Sequence, residues 1–381
     1  MYEYIDTTDK LQHFINRIST ASWVALDTEF IRGRHYFSRL CLIQIATEDH
    51  IGCIDPLACK DLSAFASILY NKKITKVLHA VHQDIDIFYQ LFKQIPTPIF
   101  DSQTAAAVLG IGHQIGYSNL VLALLGIELD KSQSRTDWAK RPLSSKQLDY
   151  AIDDVRYLRE IYPLLLTQLQ QLNRLDWLIP SAEHSTALST YQPQPEAMWK
   201  KVHGKQTLNG QQLAVLRELA AWREITAIKR NLPRRWLTPD PLLIDLAKRQ
   251  PNTTHLIQRL HHANTKQLQP YHKQWLSCIK KAKNTPSEQW PIPKTYQKPS
   301  KSQIKLIDLL QLAVRYHANK HNISPILIAN RKTIESMVIE GRNTLANDWR
   351  GALVNKSFAA IIAGKAHISI NQQGDVNLSY K

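Results

Sequence analysis

Hydrophobic positions recur along this chain with two different periods, and the change of period divides it. Thr7 to Ser22 places Leu11, Phe14, Ile15 and Ile18 at helical spacing, with Thr7 or Thr8 as the N-cap. Trp23 to Phe30, Leu40 to Thr47, Ile51 to Ile54, Lys76 to Ala80 and Pro98 to Phe100 read as strands. Gly33 and its polar neighbours fill the connection between the first two strands, as in a hairpin. A helical stretch covers Asp84 to Phe92, and from Gln103 onward the pattern is helical, including Ser144 to Leu172. Strands in succession followed by helices predict an α/β domain, a mixed sheet flanked by helices.

Beyond residue 190 the strand signal nearly vanishes. Gln192 to Pro195 is a Pro/Gln-rich linker. Gly210 to Arg230 is an amphipathic helix with Leu213, Leu216, Ala220 and Ile228 among its apolar positions. Helical patterns run to about Lys283. Asn284 to Ser300 carries prolines at 286, 291, 293 and 299 and reads as a second linker. Helices resume from Gln303 to about Ala363. The expected domains are therefore residues 1–190, 200–285 and 300–375, the last two small all-α bundles.

Charge sharpens this division. Residues 1–190 hold 18 Lys+Arg and 21 Asp+Glu, whereas residues 191–381 hold 30 and 11. A near-neutral half is joined to a strongly basic one, and a nucleic acid is the partner that such a field suits. No window approaches about 18 consecutive apolar residues, so no membrane span is expected. Cys41, Cys53, Cys59 and Cys278 form no metal-binding spacing, which suits free thiols in a reducing cytoplasm.

The chemistry gathers in the acidic half. In Val24-Ala25-Leu26-Asp27-Thr28-Glu29-Phe30, alternation turns Asp27 and Glu29 to one face and Leu26, Thr28 and Phe30 to the other. Two carboxylates on a buried strand repel each other, and a divalent cation with oxygen ligands, Mg²⁺ or Mn²⁺, resolves the conflict. Asp84 follows the strand Val77-Leu78-His79-Ala80 at a helix start; Asp86 is close by, and the pattern alone does not separate the two. In Gln147-Leu148-Asp149-Tyr150-Ala151-Ile152-Asp153-Asp154-Val155, Tyr150 and Asp154 share a helix face at i, i+4, and Asp149 and Asp153 form a neighbouring stripe.

A strand Asp-x-Glu, then an Asp at a helix start, then Tyr-x-x-x-Asp in a later helix resembles the tyrosine-containing branch of the DEDD superfamily of 3′→5′ exonucleases. Leu26 to Phe30, Leu42-Ile43-Gln44-Ile45, Ile54-Asp55-Pro56-Leu57, Ser134 to Trp138, Arg141-Pro142-Leu143 and Tyr150 to Asp154 are similar to the ribonuclease D family. Leu219 to Arg223 with Ala227, Asn231-Leu232-Pro233 and Leu246-Ala247 resemble a helicase-and-RNase-D C-terminal domain; His321 to Pro325 and Leu327 to Arg331 match a second, more divergent one. One departure is visible: Val81 stands where the family usually has glycine.

The resemblance implies an RNase H-like exonuclease fold holding two divalent metals. Asp27 would bridge them, Glu29 and Asp154 would complete the site of the attacking water, Asp84 would support the second metal, and Tyr150 would orient the water. It implies a cytoplasmic, monomeric exoribonuclease that trims tRNA precursors with 3′ extensions and other small RNAs, releasing nucleoside 5′-monophosphates. The acids alone leave open a proofreading-type DNA exonuclease; a non-catalytic RNA-binding protein on the same fold is a third reading, against which all four acids and Tyr150 stand. His79 and His82 read as packed or surface histidines, because hard cations prefer oxygen. Arg135 and Asp137 suit an ion pair or a substrate contact. Arg32, Arg34, Tyr36 and Phe37 suit either RNA contact or a solvated hairpin. Of Trp199, Trp222, Trp236, Trp275, Trp290 and Trp349, most are expected in cores, and Arg234-Arg235, Lys248-Arg249, Lys280-Lys281-Lys283 and Arg331-Lys332 supply the positive field.

Overall fold

A computed structural model describes residues 2–261, 263, 265–293, 297–345, 347–374 and 376–380. Its first sheet has six strands: β1 (Glu3–Ile5), β2 (Trp23–Ile31), β3 (Arg39–Ala46), β4 (Ile51–Ile54), β5 (Thr75–Leu78) and β6 (Ile99–Asp101), in the order β1-β4-β3-β2-β5-β6. β1 runs parallel to β4, and β2, β5 and β6 run parallel to one another, while β3 and β4 are antiparallel. The sheet is thus mixed, as the pattern predicts, with β2 at its centre. β1 escapes the pattern, since three residues are too few to show a period.

Helices cover both faces. α1 (Thr8–Ile18) is capped by the Thr7 hydroxyl, which accepts from the Lys10 N–H. It packs so closely on β4 that a Cβ at Gly52 would lie 2.8 Å from the Phe14 ring. α2 (Ser63–Leu69) and α3 (His82–Phe92) meet through Phe65 and Phe88, ring centroids 5.7 Å apart. α4 (Ser102–Val108) and α5 (Tyr117–Leu125) lead to α6 (Ser145–Gln171), which starts from a Ser144–Gln147 capping box. Ala151, Ile152, Val155 and Leu158 of α6 share a core with Ala25 of β2, Leu42 of β3 and Cys53 of β4. Asp27 and Glu29 continue the Ala25 face, so they lie on the side covered by α6. α7 (Ile179–Thr186) and α8 (Leu188–Tyr191) follow.

Two compact units emerge. One comprises residues 1–31, 40–190 and 297–381, the other residues 32–39 and 191–296. The second is helical: α9 (Gly210–Arg230), α10 (Arg234–Leu237), α11 (Asp240–Arg249), α12 (Thr254–Gln258) and α13 (His272–Lys283) surround a core with Trp275 at its centre. Part of the expected 284–300 linker, residues 294–296, lies outside the described residues. Segment 32–39, expected as a hairpin connection that either contacts RNA or is solvated, packs within this second unit.

α14 (Lys301–Lys320), α15 (Pro325–Ile328), α16 (Arg331–Glu340) and α17 (Trp349–Ile362) complete the helices. Ile307, Leu310 and Val314 join the core built around α6. Trp349 stacks on Trp177 at 4.3 Å with rings 3° from parallel, and the buried Arg174 donates to the carbonyls of Val108 (2.7 Å) and His321 (2.8 Å). Gly110, at φ +81°, is needed here: a Cβ would fall 1.9 Å from the Asn322 carbonyl oxygen. The chain adds a hairpin that the pattern does not announce, β7 (Ala366–Ile370) with β8 (Val376–Tyr380). Among the described residues no helix is long and apolar enough to cross a membrane.

Candidate active site

Asp27 and Glu29 leave β2 on one face, and the i, i+4 face of α6 brings Asp154 to them. One carboxylate oxygen from each of the three lies within 4.8 Å of the others. Among the described residues none of the three forms an ion pair with Lys, Arg or His. Burial raises all three carboxyls above the usual range, and mutual repulsion adds to it: Asp27 is pushed up by Asp154, Asp84 and Glu29, and Glu29 rises to about 9. Asp154 is raised by burial, then by Asp153 and Asp84. An all-oxygen donor set that no Lys, Arg or His neutralises among the described residues fits a hard divalent cation.

Asp84 stands just outside this cluster. Nearly buried in the first turn of α3, it accepts a 2.5 Å hydrogen bond from the Thr28 hydroxyl. Burial raises its carboxyl, and the Thr28 bond opposes that rise. Asp86 is not part of the cluster. Tyr150 lies one turn before Asp154; burial, then the charges of Asp154, Glu29 and Asp27, hold its phenol well above the ordinary tyrosine range. It therefore stays protonated. The Trp138 ring lies 6.0 Å from the Tyr150 ring.

The other singled-out residues find structural work. Val81 adopts a right-handed φ of −50°, so its backbone does not require a glycine; the left-handed position is Ala80, at φ +59°. His79 is bonded on both nitrogens, to Ser102 Oγ (2.9 Å) and the Ile115 carbonyl (3.0 Å). His82 is exposed, its ring 5.9 Å from that of His184. Asp137 accepts from the Ala139 N–H, and no ion pair joins it to Arg135 among the described residues. Instead Arg141 clasps the buried Asp55 through Nε (2.6 Å) and a second guanidinium nitrogen (2.8 Å), with Tyr4 donating to the same carboxylate. Two motif stretches thus meet in one ion pair, a partnership that residue spacing does not disclose.

In the second unit, Tyr36 is occupied. Its hydroxyl donates to Glu224 at 2.5 Å, its ring packs edge-on against Phe37, and the Arg234 guanidinium lies 5.3 Å over it. Arg234 also pairs with Glu224, which is 1 % exposed. Of the six tryptophans in the basic half, Trp275 is fully buried, whereas Trp236 is 52 % exposed.

Comparison with known proteins agrees with this geometry. The 3′-5′ exonuclease family model matches residues 2–170, and the HRDC domain model residues 212–279. Ribonuclease D of Bartonella henselae is 34 % identical over 378 residues, covering 96 % of this chain and 91 % of its own. Ribonuclease D of Zymomonas mobilis is 35 % identical over 387 residues, covering 100 % and 98 %. The crystal structure of Escherichia coli RNase D superposes with a TM-score of 0.84 at 29 % identity, over 96 % of this chain and 99 % of that one. Likeness at this level over almost the whole of both sequences means that the chain belongs to the ribonuclease D family.

Proposed function

We propose that this ribonuclease D-type 3′→5′ exoribonuclease trims 3′-extended tRNA precursors and other small RNAs in the cytoplasm as a monomer, releasing nucleoside 5′-monophosphates with two divalent cations, Mg²⁺ or Mn²⁺. The observation that carries the reading is the unpaired Asp27–Glu29–Asp154 cluster. The Escherichia coli relative is described as an exoribonuclease involved in structured RNA processing, and a tRNA precursor is a structured RNA with a single-stranded 3′ tail. None of the four cysteines is in a disulfide, in keeping with a reducing compartment.

In this reading Asp27, Glu29 and Asp154 would hold the cation of the first site, and Asp27 with Asp84 would hold that of the second. Bound cations supply the positive charge that stabilises the entering and leaving oxygens of an in-line phosphodiester displacement. The protonated Tyr150 hydroxyl donates to the attacking water and orients it. Thr28 holds the Asp84 carboxylate in place, and the cluster, partly buried between β2 and α6, has its interactions strengthened by that burial. Basic side chains of the helical unit attract the RNA backbone.

A time course on a tRNA carrying extra 3′ nucleotides, resolved by product length with and without Mg²⁺, tests the proposal. Stepwise shortening from the 3′ end with release of 5′-monophosphates, dependent on added cation, is expected. Equal shortening of a matched DNA oligonucleotide would overturn the RNA assignment, and no shortening of any 3′-OH substrate would overturn the catalytic one.

A further inference from the structure

Tyr117 carries no sequence signal, yet it touches the helix that bears Asp154. It opens α5, and its hydroxyl donates to the backbone carbonyl of Asp153 at 2.9 Å. That carbonyl belongs to the residue next to Asp154, which places the phenol beside the acid-bearing turn of α6. On its other side the ring meets His79 edge-on, centroids 5.5 Å apart.

The turn leading into Tyr117 is itself fixed. His79 Nε2 and Gln103 Nε2 both donate to the Ile115 carbonyl, at 3.0 and 2.9 Å. Ser102 Oγ meets His79 Nδ1 at 2.9 Å and donates to the Leu78 carbonyl at 3.1 Å. His79 begins the segment that runs through left-handed Ala80 to α3 and Asp84. Hydrogen bonds at both ends of the short 115–117 backbone therefore tie the segment bearing Asp84 to the peptide next to Asp154.

We infer that Tyr117 is a positioning residue for the cation site: its hydroxyl, through the Asp153 carbonyl, sets the turn of α6 that carries Asp154. The need for such a brace follows from the cluster. One oxygen each of Asp27, Glu29 and Asp154 is held within 4.8 Å of the others, and as their protons leave to make room for a cation, mutual repulsion favours moving the α6 turn away from β2. A donor on the adjacent carbonyl resists this motion and keeps the three oxygens at ligand spacing.

This inference rests on the proposed role of Asp154 as a cation ligand, and the experiment separates the two. Mn²⁺ binding to the RNA-free full chain is measured by electron paramagnetic resonance for wild type, Tyr117→Phe, Gln103→Ala and Asp154→Asn, alongside melting of the cation-free proteins and kcat and KM on 3′-extended RNA. Loss of one neutral hydrogen bond predicts about a 5-fold drop in Mn²⁺ affinity for Tyr117→Phe, a similar drop in kcat, and unchanged KM and melting. Wild-type Mn²⁺ affinity in Tyr117→Phe, with Asp154→Asn impaired, overturns the brace and leaves the cation site standing. Wild-type affinity in Asp154→Asn overturns both. If Tyr117→Phe melts early, Gln103→Ala, which loosens only the far end of the brace, decides: reduced Mn²⁺ affinity supports the inference and wild-type affinity overturns it.

Discussion

Thr28 donates its hydroxyl to a carboxylate oxygen of Asp84 across 2.5 Å. By alternation the Thr28 side chain leaves β2 on the side away from Asp27 and Glu29, which is why Asp84 stands apart from the three-carboxylate cluster. The bond also favours the ionised form of Asp84 against its burial. Thr28→Val keeps the side-chain shape and removes the donor. A hydrogen bond to a charged group contributes about 1.5–3 kcal/mol, so the Mg²⁺ concentration for half-maximal rate should rise at least about 10-fold. A Mg²⁺ titration of nucleotide release checks this; an unchanged midpoint would show that Asp84 needs no support from β2.

The raised carboxyls make folding depend on pH in a definite direction. Glu29 moves from an ordinary 4.5 to about 9. Between those values the folded cation-free protein keeps a proton that the unfolded chain has released, so stability falls as pH rises through this window. The contribution is fully present below pH 4.5 and lost above 9. Glu29→Gln removes the titration. Melts in EDTA should show the variant gaining on wild type by roughly 2–4 °C per kcal/mol as pH goes from about 5 to 9. Saturating Mg²⁺ should shrink the gap, because bound cations replace the proton. Parallel melting curves across pH would contradict the electrostatic account.

Local periodicity makes the acid residues legible. Alternation places Asp27 and Glu29 on one face, helical spacing places Tyr150 beside Asp154, and Gly210–Arg230 forms the helix that its pattern predicts. Spacing says nothing about partners from distant segments. Asp55 and Arg141 are 86 residues apart, and Tyr36 and Glu224 are 188 apart. Tyr36 reads equally as an RNA contact or as part of a solvated hairpin because its engagement by Glu224 and Arg234 depends on tertiary packing. Arg234, counted with the positive field, is likewise held in an ion pair. Tyr117 leaves no trace because it bonds a backbone carbonyl, which every residue offers.

Glu224 gives a stability test in the helical unit. It is 1 % exposed and bonded to Arg234 and Tyr36. Arg234→Ala leaves a buried carboxylate with one hydroxyl partner and should cost roughly 3–5 kcal/mol in urea unfolding. Replacing both partners, Glu224→Leu with Arg234→Met, should recover most of that loss, since neither leaves a charge without its partner. A double variant as unstable as the single one would mean that packing around Tyr36, not charge, holds the site.

Residues 301–362 should prove structural for the exonuclease-type sheet. Trp349 is nearly buried against Trp177, and Gly110 meets the Asn322 carbonyl with no room for a side chain. Trp349→Ala should destabilise the unit by roughly 3–5 kcal/mol, and Gly110→Ala should also destabilise it by forcing the two backbones apart. Calorimetric melting reads both. Wild-type melting in either would show that this segment only rests against the core.

The net charge of +16 resolves further once the units are known. Residues 32–39 and 191–296 carry 21 Lys+Arg against 6 Asp+Glu, while the remaining chain carries 27 against 26. Nearly all of the excess positive charge therefore belongs to the helical unit, and RNA capture should take its salt dependence from there. Arg235, Lys248 and Arg249 are exposed. Neutralising all three to Gln should lower the slope of log affinity against log salt by about 2, since each phosphate neutralised on a single strand adds roughly 0.7 to that slope. The kcat of this variant at saturating RNA should stay unchanged, because the acids are untouched. The matched control Lys60→Gln, Lys72→Gln, Lys73→Gln removes the same charge from exposed positions of the other unit and should leave the slope as it was. Equal slopes in the two triple variants would mean that RNA senses total charge rather than the helical unit, and that the concentration of basic residues there serves something other than substrate capture.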